Sequence, residues 1–426
     1  MLGRKRQGLK KNINIDGFVS PYFNAVKNSF TRNFEKQFER DGAAFSVYYK
    51  GEEVVNLWGG YADTTSERLW RKDTMNIAFS SSKAVAAICV ALLVDRGQLK
   101  YEQLVCDFWP EFEENDKGKI TVQMVMSHSC GLVLFDKQIT VADAQNHEAM
   151  SQIIVDQRPH WLPGTEVGYH ALTFGWLVDQ IIRHVDVRKR GIGQFFREEI
   201  AEKHDIETYF GLPYELSHRV ARIRLSNMKD RIAEFVANPK FISYYYYMKS
   251  IILHGYLPKM LRNPAWIQCL FKPILNNPDL YALEQCAVLG IGSARSFAKL
   301  FAKVLKGDII SRSLLETMSI PAVSNYEDVV TGARGERGYG FSFIPYSHNG
   351  QSFRLIGHAG VGGQNIRYDL ENDLVICYMT NGMKGGLGDT HRTYASLVKS
   401  VYDIVLPSNT SYPKQIPVEG KSRRQG

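Results

Sequence analysis

With 426 residues and 44% hydrophobic content, the chain is long enough to bury a sizeable core, as one large domain or two smaller ones, and a globular reading is the default. The formal net charge of +8, from 52 Lys+Arg against 44 Asp+Glu, is concentrated in part at the ends, in Arg4, Lys5, Arg6, Lys10 and Lys11 and in Lys421, Arg423 and Arg424; without aromatic–basic interleaving, solvated tails account for it and no nucleic-acid partner is implied. Cys89, Cys106, Cys130, Cys269, Cys286 and Cys377 contain no C-x-x-C pair, which leaves zinc and redox chemistry without support and fits reduced structural thiols.

Residues 1–16 read as a basic tail. They hold no apolar run of about 7–15 residues, which a secretory signal requires, and no serine or clear amphipathic pattern, so the expectation is an intracellular protein, cytoplasmic ahead of mitochondrial. A main domain is expected over 17–406. Phe23, Val26, Phe30, Phe34 and Phe38 recur every three or four residues and predict an amphipathic helix from Ser20 to Arg40, stopped near Asp41-Gly42. Ala44–Tyr49 and Glu53–Trp58 then read as strands around Lys50-Gly51, and Lys83–Arg96 as a strongly apolar helix ended by Gly97.

From about Tyr101 to Asp308 the pattern is mostly helical and predicts a second lobe. It includes a helical insertion at about 236–280, where Phe241–Phe271 is rich in aromatic residues and interrupted by Gly255, Pro258 and Pro264. No 18-residue apolar run occurs there, so it does not span a membrane; it reads as a helix buried on the second lobe, or alternatively as a hydrophobic lid or a membrane-touching patch. Toward the C-terminus Tyr339–Ile344, Phe353–His358, Gly363–Tyr368 and Leu374–Thr380 predict successive strands, Thr390–Val405 a helix, and 407–426 a polar tail. Strands at both ends with helices between them make the fold class α+β: an antiparallel sheet flanked by terminal helices plus a mostly helical lobe.

Ser80-Ser81-Ser82-Lys83 is an S-x-x-K, whose spacing puts serine and lysine on one face of a helix. The positive end of the helix favours an alkoxide, and burial lowers the lysine pKa until it can accept a proton. Four further S-x-x-K matches begin at Ser226, Ser296, Ser396 and Ser411, but only Ser80 joins a strand-like segment, Met75–Phe79, to a strongly apolar helix. Pro163–Ala171 is a turn-rich loop presenting Tyr169 just before a helical pattern, where a tyrosine can serve as general base beside a lysine. Gly357-His358-Ala359-Gly360-Val361-Gly362-Gly363 joins two strand-like segments, and its glycines let backbone approach a ligand closely.

In order and spacing these elements resemble the serine β-lactamase-like superfamily, in the branch of class C β-lactamases, D-alanyl-D-alanine peptidases, family VIII carboxylesterases and eukaryotic β-lactamase-like proteins. Ile120–Leu132 is similar to the family's I-T-x-x-x-L-L-x-H-x-S-G-L, and Gly290–Ala298 to its G-x-G-x-A-R-S-L-A. The resemblance implies a β-lactamase/transpeptidase-like fold in which Ser80 is acylated, Lys83 shares its proton, and Tyr169 acts as base and then as acid toward the leaving group. It places His358 and Gly360 on the substrate-binding strand, with the amides of Ser80 and Val361 as the oxyanion hole, and implies no metal and no organic cofactor.

Four positions depart from the β-lactamase pattern: Ala171 stands where asparagine is usual, His358 where lysine is, Val361 where a hydroxyl residue is, and Cys130 where a serine is common. The expectation is therefore an esterase or amidase on a small acyl substrate rather than a dedicated β-lactamase. The alternative is a non-catalytic member that self-assembles, as a filament-forming eukaryotic relative does, or that touches a membrane peripherally.

Overall fold

Apolar stretches at the two ends of the chain build a single sheet. The structure is a computed structural model and describes residues 13–227, 232, 236, 249, 255–260, 262–267, 272–384 and 388–407. In chain order the elements that matter are β1 (Ile15–Val19), α1 (Asn24–Glu35), β2 (Gly42–Tyr49), β3 (Glu52–Asp63), β4 (Arg68–Leu69), β5 (Asn76–Ile77), α2 (Ser82–Asp95) and α3 (Thr173–Val185). They continue with β6 (Thr208–Phe210), β7 (Gly290–Gly292), α4 (Ala294–Lys306), β8 (Val323–Glu327), β9 (Arg334–Gly338), β10 (Phe341–His348), β11 (Gln351–Ala359), β12 (Asn365–Asp369), β13 (Leu374–Thr380) and α5 (Arg392–Val405).

The main sheet is antiparallel in the order β1-β3-β2-β13-β12-β11-β10-β9-β8, with β4 paired to β3. Its closing pair is β2 with β13, which sets Phe45 opposite Tyr378 and Val47 opposite Ile376. Side chains alternate between faces along each strand. Phe45, Val47, Leu57 and Ile376 pack with Phe23, Val26 and Phe30 of the N-terminal segment and Tyr394, Leu397 and Val401 of α5. Tyr48, Phe343, Ile366, Val375 and Cys377 face the other way, onto the core shared with α2 and α4. Both faces are covered, so β2 and β13 are buried at every position.

Helix α2 has no polar face to offer: it is buried from Ser82 to Leu93, as a helix apolar on all sides must be. It runs between the sheet and the second lobe, where β5, β7 and β6 form a small three-stranded sheet.

The sequence reading differs from this architecture at several places. Helix α1 starts after a 3₁₀ turn at Pro21–Phe23 and stops at Glu35, short of Arg40, because Gln37 turns left-handed at φ 57°. Phe38, which had supported the longer helix, is half-buried beneath the Arg392 guanidinium, 4.0 Å from its ring centre. Ile15 and Asp16, assigned to the tail, belong to β1, which pairs with β3. Strands β8 and β9 were not expected, and the middle region is not purely helical. Much of the Phe241–Phe271 segment, with the lid and membrane-patch readings placed on it, lies outside the described residues; its Tyr256–Met260 helix is described, and Leu257 and Met260 pack with Val133, Leu134, Val329 and Val330. Among the described residues, no helix is long and apolar enough to cross a membrane.

Candidate active site

Ser80 sits in a 3₁₀ turn, Phe79–Ser81, that leads directly into α2. The turn is made by Phe79 at φ 47°, a conformation that a bulky side chain adopts only when its surroundings hold it there. Here they do: the Ala78 N–H donates to Gly290 O at 2.8 Å, and the Ser81 hydroxyl donates to His358 O at 3.0 Å. The Gly290 N–H in turn donates to Ser82 Oγ at 2.8 Å. The glycine-rich Gly290 motif and the His358 strand therefore clamp the serine turn from two sides, and Ser80 stays just accessible at 8% exposure.

Two groups meet at this serine. The Tyr169 hydroxyl donates to Ser80 Oγ at 2.7 Å, and Lys83 Nζ lies 3.3 Å from the same oxygen. Lys83 also donates to Ala171 O at 2.8 Å and Ala287 O at 3.0 Å. Burial pushes Lys83 well below the ordinary lysine range, with the Arg337 charge adding to the fall. These three contacts occupy the amine, and the lowered pKa moves it toward the neutral form that can accept a proton. Burial pushes Tyr169 up to about 12, against the downward pull of its Ser80 hydrogen bond and of Arg337.

The Ile120–Leu132 motif holds the tyrosine loop. The Gly168 N–H donates to His128 O at 3.0 Å, the His170 N–H to His128 Nδ1 at 3.2 Å, and the Gly164 N–H to Ser129 O at 2.9 Å. The His128 ring stands edge-on to Tyr169, its centre 5.2 Å away. Cys130 makes a buried 3.2 Å contact with His170 Nε2; burial raises the thiol to about 12 and lowers His170 to about 3, so both are neutral.

His358, Gly360 and Val361 lie where β11 ends beside the serine turn. The His358 ring stacks on Tyr169 at 5.8 Å, and burial pushes it well below the ordinary histidine range. A side chain at Gly360 would collide with the Ala78 carbonyl oxygen and come within 3.2 Å of Phe79 Cβ. Gly360→Ala is therefore expected to push β11 off the serine turn, with a fall of about tenfold or more in activity and about 1–3 kcal/mol in stability, read by ester hydrolysis and urea denaturation. Val361 is half exposed.

Two of the other S-x-x-K serines are placed inside helices. Ser296 and Ser396 lie in α4 and α5, with Lys299 held by Asp205 and Lys399 by Asp403. Ser226 is in coil, while Lys229 and the Ser411 match fall outside the described residues.

The Beta-lactamase family profile matches residues 30–399. The chain belongs to the beta-lactamase family. It is 35% identical to the esterase/beta-lactamase LipL of Mycobacterium tuberculosis over 211 residues, which are 49% of this chain and 48% of that protein; the match thus spans about half the length of this curated relative. A family VIII carboxylesterase of known structure superposes with a TM-score of 0.80 at 28% identity, covering 92% of this chain and all of that one. A penicillin-binding protein homolog from Caulobacter crescentus gives 0.75 at 28% identity, with the same 92% of this chain covered. The α+β arrangement described above is thus the β-lactamase/transpeptidase-like fold.

Two side chains at this beta-lactamase-family site had no signal in the sequence. Asp328, fully buried, accepts the Tyr169 N–H at 3.2 Å, and Arg337 on β9 places its guanidinium 4.9 Å from the Tyr169 ring centre. The Arg334–Gly338 stretch, with two arginines and a glutamate, reads as a charged loop and not as a strand beside a tyrosine.

Proposed function

We propose that the protein is a serine hydrolase that forms an acyl-enzyme at Ser80 and acts on a small ester or amide. The observation that carries this reading is one oxygen, Ser80 Oγ, held 2.7 Å from the Tyr169 hydroxyl and 3.3 Å from a buried lysine amine. Such a pair brings a proton acceptor and a proton donor to one nucleophile.

The proton inventory gives the order of steps. Ser80 attacks the acyl carbon as its proton passes to neutral Lys83, and the amides of Ser80 and Val361 receive the oxyanion. The carbon–leaving-group bond breaks as Tyr169 gives its proton to the departing oxygen or nitrogen. The Tyr169 phenolate, beside the new Lys83 ammonium, then takes a proton from water. The resulting hydroxide attacks the acyl carbon, the bond to Ser80 Oγ breaks, and Lys83 returns the proton to that oxygen. The family resemblance implies Tyr169 as base with Lys83 sharing the serine proton; burial of the amine favours Lys83 for that first step and leaves Tyr169 as the base for water.

An ester or amide is favoured over a β-lactam as the usual substrate because neutral His358 and apolar Val361 offer a substrate carboxylate no charge and no hydroxyl. The name of the similar carboxylesterase points the same way, while that of LipL, esterase/beta-lactamase, covers both. No observation at the site favours a non-catalytic assembly role.

The test is a fluorophosphonate probe followed by peptide mapping, with turnover of a p-nitrophenyl ester alongside. One adduct per chain on Ser80, together with turnover, is the expected result. An adduct on another residue, or no adduct where a related esterase reacts, overturns the proposal.

A further inference from the structure

The mechanism asks Tyr169 to become an anion in a buried place, and something must make that anion tolerable. Lys83 supplies one counter-charge, as the ammonium formed when Ser80 attacks, 4.9 Å from the ring centre; His128, His170 and His358, the imidazoles nearest the phenol, are pushed below the ordinary histidine range by burial and supply none. Tyr169 also packs against the apolar cluster of Val133, Val329 and Val330, which brings no charge. Among the described residues packed on Tyr169, two bring groups of opposite sign, Arg337 and Asp328, and Arg337 also meets the phenol of Tyr326. A guanidinium does not lose its proton in a protein.

Those two are arranged unequally. Asp328 Oδ1 is occupied by three backbone N–H groups, those of Tyr169 at 3.2 Å, Val330 at 3.0 Å and Thr331 at 2.9 Å. Its Oδ2 accepts from Arg337 Nη2 at 3.3 Å, and Arg337 Nε is buried without a hydrogen-bond partner. The carboxylate is thus spread over four donors while the guanidinium lies over the face of the phenol, 4.9 Å from its centre, at a distance where a cation interacts with an aromatic ring.

We propose that Arg337 is a positioning residue of this site, whose fixed charge over the ring stabilises the Tyr169 phenolate formed when the leaving group is protonated, while Asp328 fixes the tyrosine and the arginine in register. This rests on the reading of Ser80 as the nucleophile. Arg337 acts through Tyr169 and touches no reacting atom. Its charge pulls both Tyr169 and Lys83 toward lower pKa, so it sets the window in which a neutral amine and a protonated phenol coexist.

The experiment compares wild type, Arg337→Gln and Asp328→Asn on a p-nitrophenyl ester and on an alkyl ester of the same acid, with kcat/KM followed against pH. A p-nitrophenolate departs without help, whereas an alkoxide must be protonated. Arg337→Gln is therefore expected to lose about tenfold or more on the alkyl ester relative to the aryl ester, and both limbs of its pH profile are expected to move up by about one pH unit. Asp328→Asn removes the opposing charge and is expected to move the limbs the other way, so the pair remains decisive if one variant fails to fold. Equal loss on both esters with unmoved limbs, in variants that melt like wild type, overturns the assignment of Arg337 alone. A wild-type protein that neither labels at Ser80 nor turns over overturns the hydrolase reading first, and this inference with it.

Discussion

Ser80→Ala is expected to cut ester hydrolysis by a factor on the order of 10⁴ or more while leaving the protein folded and melting within a few degrees of wild type. The first half follows from the convergence of Tyr169 and Lys83 on this one oxygen: with it gone, both retain their positions but have no nucleophile to serve, and only water attack in the oxyanion pocket remains. The second half follows from what the hydroxyl does for the fold. Its hydrogen-bond partners are those two groups, whereas the serine turn is held through Ala78, Ser81 and Ser82. Intact-protein turnover assays and thermal melts check both halves. A variant that stays within tenfold of wild type would exclude Ser80 as the nucleophile.

Lys83→Met is expected to lower kcat/KM by about 10³-fold, because methionine fills the same volume without accepting a proton. The wild-type pH profile carries the same information. Activity should fall as acid protonates Lys83, below the ordinary lysine range because its pKa is depressed, and should fall again in strong alkali as Tyr169 ionises near 12. Stability gives an independent check with a defined sign. Burial makes the folded chain bind the lysine 83 proton less tightly than the unfolded chain does, so this residue costs stability below the unfolded lysine pKa and ceases to do so above it. Relative to wild type, Lys83→Met should therefore gain stability as pH falls from about 10 toward 7, by up to about 1.4 kcal/mol per pH unit. Urea denaturation at the two pH values measures this; a difference that is flat in pH would mean that the lysine is charged when folded. Loss of donors to Ala171 O and Ala287 O offsets the gain without following pH.

The sequence was most legible where one physical requirement acted alone. Leu374–Thr380 is apolar throughout because both sheet faces are covered, and its limits were read as the structure has them. Ser80, Lys83 and Tyr169 could be found because helix periodicity and a turn-rich loop announce them, and the structure brings all three within hydrogen-bonding reach. Strands β8 and β9 could not: Val323–Glu327 and Arg334–Gly338 are polar and only partly buried, so no alternation marks them. Arg337 and Asp328 went unread with them, since their meaning depends on a tyrosine more than 150 positions earlier in the chain. The end of α1 was misjudged for a related reason, as Phe38 finds its cover in Arg392 and not on the helix face.

The β2–β13 pairing has a consequence for how the protein is made. Tyr49 lies opposite Leu374, so at about 5–20 residues per second β2 leaves the ribosome tens of seconds before its neighbour exists. Through that interval β1, β2 and β3 can pair with one another, but the free side of β2, buried at every position in the finished sheet, stays open as an apolar edge. The nascent chain is most prone to aggregate in this period, and the step that ends it is the arrival of the last strand, not the formation of the helical lobe.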